Sequence, residues 1–368
     1  MNTDTTNPKS RGRLFTVWDG QFGSTGKGQI AWFISQQEAI YAAVRVGGPN
    51  AGHTFWMGRN KVVARTIPCV AYNGSTRGFI GAAGIYRPDV LIDELKRGFD
   101  LTGKPIKLTI DPNSVIITKE HVERERSLTE NIGSTGEGVG AATADKVMRN
   151  PDITTRANLV KLEHWLPSQD LAFSQVRFPR ESLSAVELNQ SLQSGMTVMI
   201  EGTQGFGLGL HTGGFYPFCT SREVTPWALY SETGINPKNA EFVESVMVIR
   251  TYPIRVGGNS GPLKNEISWE ELDLRVGVHI EPEKTTVTQR IRRIASMDYD
   301  LVKRAVLQGG PDVIALTFFD YVFPEAKGLT DPDKLEFEHI SYIQDLERRF
   351  RTPIKYISTG PGTTLAMF

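Results

Sequence analysis

The segment Gly20-Gln21-Phe22-Gly23-Ser24-Thr25-Gly26-Lys27-Gly28 constrains this chain more than any other. Leu14-Phe15-Thr16-Val17-Trp18 before it reads as a buried strand, and Ile30-Ala31-Trp32-Phe33-Ile34 after it opens a helix running to about Glu38. A glycine loop between strand and helix turns its amides toward an anion, aims the helix N-terminus at it, and here adds the point charge of Lys27. Phosphate binding follows. A Walker A loop reads GxxxxGK[ST], whereas Gln21 stands at its first glycine and Gly28 replaces its Ser or Thr, so this is a relative of the P-loop and not a match. A plain tight turn would also use glycines, but it leaves Gly26-Lys27-Gly28 unexplained.

The 368 residues suffice for one large α/β domain with insertions. Lys plus Arg and Asp plus Glu both number 41, giving zero formal charge, so nothing global draws the chain to nucleic acid or an anionic membrane. Only Cys69 and Cys219 are present, outside any CxxC, which fits a reducing cytoplasm and supports neither a disulfide framework nor a zinc site. The polar stretch from Met1 to Arg13 has no signal-peptide core, and no segment offers about 18 uninterrupted apolar residues, so a cytoplasmic location is expected.

Strands are predicted at 42–46, 107–110, 197–200, 246–251, 313–319 and 354–357, with helical patterns at 89–99, 119–131, 185–193, 300–307 and 339–350. Such alternation predicts an α/β fold, P-loop NTPase-like, with a central mainly parallel sheet, helical crossovers and insertions. Phe55 to Arg65 reads as a hairpin excursion. Residues 1–12 are expected to form a polar tail and 13–368 a single domain; 151–179 is the least patterned stretch.

A second loop, Gly47-Gly48-Pro49-Asn50-Ala51-Gly52-His53-Thr54, also follows a strand. A lone histidine is more often structural than catalytic, but one between Gly52 and Thr54 is expected on an exposed backbone loop, where it could act as an acid or donor. The runs Ile132 to Gly140, Asp145-Lys146-Val147 with Arg149, Glu201 to Gly205, Tyr216 to Thr220 and Ile357 to Pro361 follow in order. Together with the first two loops they resemble the adenylosuccinate synthetase family along nearly the whole chain.

In that family a nucleoside triphosphate phosphorylates the 6-oxygen of a purine monophosphate, and L-aspartate then displaces the phosphate. The resemblance implies a triphosphate site of Gly23, Ser24, Thr25, Gly26, Lys27 and Gly28 with Gly52, His53 and Thr54, continued by Arg292, Phe318, Asp320, Ser358, Thr359 and Gly360. It implies a monophosphate site of Ser24, Asn50, Ser134, Thr135, Arg149, Gln204, Thr220 and Val256, with Thr135 and Arg149 on the phosphate. Thr286, Val287, Thr288, Arg290 and Arg292 correspond to the aspartate loop, where planar guanidinium forks suit carboxylates. A solvated basic face would be the ordinary reading of those arginines taken alone. Catalytic roles fall to Ser24, Lys27, His53 and Gln204, with His53 as the acid at the 6-oxygen. Mg²⁺ is implied near Ser24 and the Gly52 carbonyl. Arg149 matches an arginine that reaches into the partner's site, which implies a homodimer.

Two positions depart from the family pattern. Where the family reads Gly-Asp-Glu-Gly-Lys-Gly, this chain has Ser24 at the carboxylate that accepts the N1 proton, which leaves the general base without a named residue. Guanine carries a 2-amino group beside N1, and the shorter serine leaves room for it and can pair with it. A phage branch resembling the family carries this replacement and acts on dGMP, so dGMP is favoured over IMP. The family's Thr-Lys-x-Asp motif appears as Thr317-Phe318-Phe319-Asp320. Phe318 can stack on any purine, which points to ATP or dATP, while Asp320 keeps GTP open. A nucleotide switch without ligase chemistry is the rival from another class; it needs no arginine loop and no second nucleotide site.

Overall fold

The computed structural model describes residues 10–132, 135–165, 174–180, 183–285 and 289–367. Among these, ten strands form one sheet in the spatial order Thr363–Ala366, Ile354–Gly360, Val313–Thr317, Phe242–Arg250, Arg13–Asp19, Val198–Glu201, Ala42–Arg45, Arg77–Ile80, Ile106–Ile110, Ser174–Arg177. Of the nine neighbouring pairs eight are parallel, and only the C-terminal pairing, Ile354–Gly360 with Thr363–Ala366, is antiparallel.

The central strands are apolar on both faces because helices cover both. Phe15 and Val17 pack with Ile30, Ala31 and Ile34 of the helix Lys27–Gln37, while Leu14 and Trp18 face a second core with Ile200, Met247, Ile249 and Leu316. Burying each such side chain contributes roughly 1.5–3 kcal/mol. The strand bearing the glycine loop lies in the middle of the sheet, so its loop and those after residues 45, 201, 250 and 317 gather at one edge, beyond the strands' carboxyl ends. That crevice is where open parallel sheets bind ligands.

The predicted elements are present with shifted ends. The first helix begins at Lys27, three residues before its apolar stripe, and the strand expected to continue to Phe319 stops at Thr317 because Phe318 turns left-handed at φ 55°. The hairpin is His53–Met57 with Asn60–Ala64. The strands at 77–80, 174–177 and 363–366 and the helices Val139–Val147, Pro226–Thr233 and Trp269–Val276 were not predicted from the sequence. No helix among the described residues is long and apolar enough to cross a membrane.

Candidate active site

The glycine loop is organised by a carboxylate that no motif singled out. Asp19, at the end of the central strand, accepts the Gln21 amide at 2.7 Å, the Thr25 hydroxyl at 2.5 Å and the Lys27 ammonium at 3.0 Å. Lys27 donates also to the Gly23 and Gln204 carbonyls, each at 2.8 Å, so its three protons are all committed. Its side chain is buried, and a triphosphate must take over one of those bonds to engage it. Thr25 turns inward to Asp19 and does not line the cavity. Gly205 lets the loop at residues 202–205 close against this one: a Cβ there would stand 2.4 Å from the Gly23 nitrogen.

His53 opens its hairpin strand at only 5% exposure, so the exposed-loop position expected from its glycine neighbours is corrected. Gly28 makes this possible, because a Cβ on it would meet the His53 Cβ at 2.9 Å, so the hairpin packs directly on the first turn of the helix. The His53 Nδ1 lies 2.5 Å from a Glu201 carboxylate oxygen. Glu201 also accepts the Cys69 amide at 2.7 Å and the Cys69 thiol at 3.3 Å, with the Arg45 guanidinium at 3.8 Å.

Burial would raise the Glu201 carboxyl, but the hydrogen bond and charge of His53 and the charge of Arg45 hold it below the usual range. Burial and Arg45 lower the His53 pKa to about 4 against the pull of Glu201. The ring is therefore neutral near pH 7, with its proton on Nδ1 facing Glu201 and its Nε2 lone pair free; that nitrogen is buried without a hydrogen-bond partner. His53, Cys69 and Glu201 bring ligand atoms within 4.8 Å of one another. With a guanidinium beside the carboxylate and a thiol held protonated by burial and by Glu201, they form a proton network and not a cation site.

A cavity of about 730 Å³ runs from this region to the chain's C-terminal strands. Gly23, Ser24, Gly26, Lys27 and Gly28 line one end together with Gly52, His53 and Thr54. Phe318, Asp320, Ser358 and Gly360 line the other, with Trp56, Lys327 and Pro361, and Arg292 joins from a third side. Thr359 is fully buried behind that wall, where its hydroxyl donates to the Leu329 carbonyl. Burial pushes the Asp320 carboxyl up to about 6.

The sequence model of the adenylosuccinate synthetase family matches residues 16–173 and 179–327. The chain belongs to that family. It is 35% identical to the adenylosuccinate synthetase of Pyrococcus horikoshii over 350 residues, covering 94% of this chain and 95% of that one. It is 31% identical over 356 residues to the N6-succino-2-amino-2'-deoxyadenylate synthase of Vibrio phage phiVC8, covering 94% and 95%. Among solved structures, it matches the cyanophage S-2L succinoaminodeoxyadenylate synthetase bound to dGMP and dATP with TM-score 0.78 at 27% identity, covering 96% and 94%. Against the fully ligated adenylosuccinate synthetase of Plasmodium falciparum the TM-score is 0.77 at 20% identity, covering 98% and 100%, a likeness of fold. Members of the family are ligases that form carbon–nitrogen bonds, and the two-sided α/β sheet agrees with the fold expected.

The other expected residues do not line this cavity. Gln204, at φ 59°, presents its carbonyl to Lys27, which fixes its backbone against Gly23. Asn50 keeps a buried side-chain oxygen without a hydrogen-bond partner, near Gly48, whose Cβ position would touch Val139. The helix Val139–Val147 is anchored at its start by Glu125, which accepts the Gly138, Gly140 and Ala141 amides. Thr135, Thr220 and Val256 are half-buried, and Arg149 is exposed beside Val147 and Met148, which are 73% and 80% exposed. Ser134, Thr286, Val287 and Thr288 lie outside the described residues.

Arg290 is exposed and does not line the cavity, unlike Arg292. Its amide donates to the Thr285 hydroxyl at 3.0 Å, and the neighbouring Ile291 carbonyl lies so close to Gly257 that a Cβ there would be 2.2 Å away. The segments carrying Val256 and Arg290 are thus packed together. Ser24 and Gly52, the expected magnesium positions, both line the cavity. A hydroxyl and a carbonyl are the hard neutral oxygens that magnesium accepts alongside phosphate oxygens, so the residues present fit that ion. Sequence reasoning passed over Asp19, Glu201 and Arg250. The available signal was a charged residue at the carboxyl end of a buried strand, since all three end strands of the central sheet.

Proposed function

We propose that this ligase joins L-aspartate to C6 of the guanine of dGMP, using ATP or dATP and giving 2-aminodeoxyadenylosuccinate, ADP or dADP, and phosphate. The observation that carries the reading is Ser24 on the cavity wall, where the family has a carboxylate. A serine beside N1 accommodates the 2-amino group of guanine and can accept a hydrogen bond from it. Support comes also from the phage phiVC8 relative, named for this product, and from the cyanophage structure holding dGMP and dATP.

The guanine 6-oxygen attacks the γ-phosphorus, the nucleoside diphosphate leaves, and the purine loses its N1 proton. The aspartate amine then adds at C6, phosphate departs with the C6–O bond, and the amine gives up a proton. Magnesium, when bound, neutralises charge on the β- and γ-phosphates. Amides of residues 23–28 and the Lys27 ammonium stabilise the equatorial oxygens of the transferring group. Neutral His53 can take a proton at Nε2 once an anionic phosphoryl group lies beside it, because that charge reverses the effect of Arg45; the imidazolium then donates to the 6-oxygen. Arg292, facing the cavity, receives a carboxylate of aspartate or a phosphoryl oxygen. Arg149 acts from the partner protomer of a homodimer, consistent with the exposed apolar pair beside it.

The test is aspartate-dependent phosphate release with dGMP, GMP or IMP against ATP, dATP or GTP. The highest kcat/KM is expected for dGMP with ATP or dATP; IMP with GTP outrunning them refutes the reading. The second reading, an IMP and GTP enzyme, draws on Asp320, whose carboxylate suits guanine's paired N–H donors. Phosphate release without aspartate would indicate a switch.

A further inference from the structure

The side chain of Arg250 is 1% exposed, yet it touches three residues that line the cavity. Its guanidinium carbon lies 3.6 Å from the Phe318 ring centroid. Its Nη1 donates to the Ser24 carbonyl at 3.0 Å and to Glu283 at 3.3 Å, and Nη2 donates to the other Glu283 oxygen. Its main chain is clamped by the Gln21 side chain, whose Oε1 accepts the Arg250 amide at 3.0 Å and whose Nε2 donates to the Arg250 carbonyl at 3.1 Å. Ser24, Phe318 and Glu283 all line the cavity, and Arg250 stands behind them.

Phe318 has little freedom of its own. Its backbone is left-handed, its carbonyl accepts the Thr251 hydroxyl at 2.7 Å, and its ring meets Tyr321 edge-on at 5.0 Å. With one face closed by the guanidinium, only the opposite face is left for a flat ligand. The same planar cation holds the carbonyl of the residue that stands at the acceptor base.

We propose that Arg250 is a positioning residue that fixes Phe318 as the stacking platform for the donor base and ties that platform to the Ser24 loop. This deepens the reading above and rests on the donor triphosphate occupying this cavity. Arginine suits the role because a flat guanidinium can stack on a ring and donate in its own plane at once, which a lysine ammonium cannot do.

Affinity for a non-hydrolysable ATP analogue, measured by titration without any acceptor, separates this proposal from the identity of the acceptor. Arg250→Met and Phe318→Leu are each expected to weaken donor binding about tenfold, the scale of a desolvated cation–ring contact. The double variant is expected to be no weaker than about twofold below either single one, since both remove one interaction. Arg250→Lys keeps the charge beside Glu283 and guards against misfolding; it is expected to restore thermal stability but not donor affinity. In steady state, the donor KM should rise far more than the acceptor KM. Additive losses in the double variant, full rescue of donor affinity by lysine, or unchanged donor affinity with a lowered kcat would each overturn the proposal.

Discussion

The carboxylate of Glu201 stands 2.5 Å from His53 Nδ1, and this contact decides which ring nitrogen is free to meet a ligand. Glu201→Gln keeps the shape but removes the charge, leaving Arg45 at 3.8 Å without its counter-ion. The kcat is expected to fall about a hundredfold, the usual size of a lost acid–base contribution, with donor KM little changed. Stopped assays of phosphate release check this; activity within threefold of the parent would remove Glu201 from the mechanism.

Asp320 should make the choice of donor depend on pH. Its carboxyl is raised by burial from 3.8 to about 6, so near neutrality it is ionised and below 6 it carries a proton. Guanine offers two adjacent N–H donors, which suit the carboxylate, whereas adenine offers one donor and one acceptor, which suit the acid. The ratio of kcat/KM for ATP over GTP is expected to fall as pH rises through 6. Asp320→Asn, which mimics the acid, should flatten that profile. The sign for stability follows from the same group: the folded chain holds the proton more tightly than the unfolded one, so folding takes up a proton between about pH 4 and 6 and this group's contribution declines as pH rises across that window. Thermal melts across the window give the check.

Ser24→Asp should move acceptor preference from guanine toward hypoxanthine. A carboxylate there crowds and repels nothing in hypoxanthine but loses the space for the 2-amino group. The ratio of kcat/KM for dGMP over IMP is expected to drop by about tenfold or more. An unchanged ratio would take Ser24 out of the specificity argument.

If Arg149 serves the partner's site, Arg149→Leu and His53→Ala chains are each inactive alone but complement one another. Half of the dimers in an equal mixture are mixed and hold one intact site each, so about a quarter of parental activity should return. Mixing that restores nothing would place Arg149 within its own protomer's site or outside any site.

The glycine loops were legible in the sequence because backbone that approaches a ligand needs residues without side chains, and that need leaves a local mark. The central strands were legible for a similar reason: burial on both faces demands runs such as Leu14 to Trp18. The edge strand Ser174–Arg177 and the helix Val139–Val147 were not, since the first is half-exposed and the second starts inside a glycine run and is held by Glu125 from another helix. His53 was identified as a candidate but placed on an exposed loop, because nothing local reveals that Gly28 lets the hairpin close over it.

By itself the sequence determined the glycine loop between strand and helix, the alternating α/β order, the family resemblance, and Ser24 and Phe318 as positions where this chain departs from the common pattern. Those features are written in consecutive residues or in their order. Tertiary structure decided which partners hold the chemistry: Asp19 on Lys27, Glu201 on His53, and Arg250 between Ser24 and Phe318. Glu201 and His53 lie 148 positions apart and Arg250 and Ser24 226 apart, and Asp19 acts only because the loop folds back on its strand. Such contacts arise from the packing of parallel strands side by side, which no local pattern encodes.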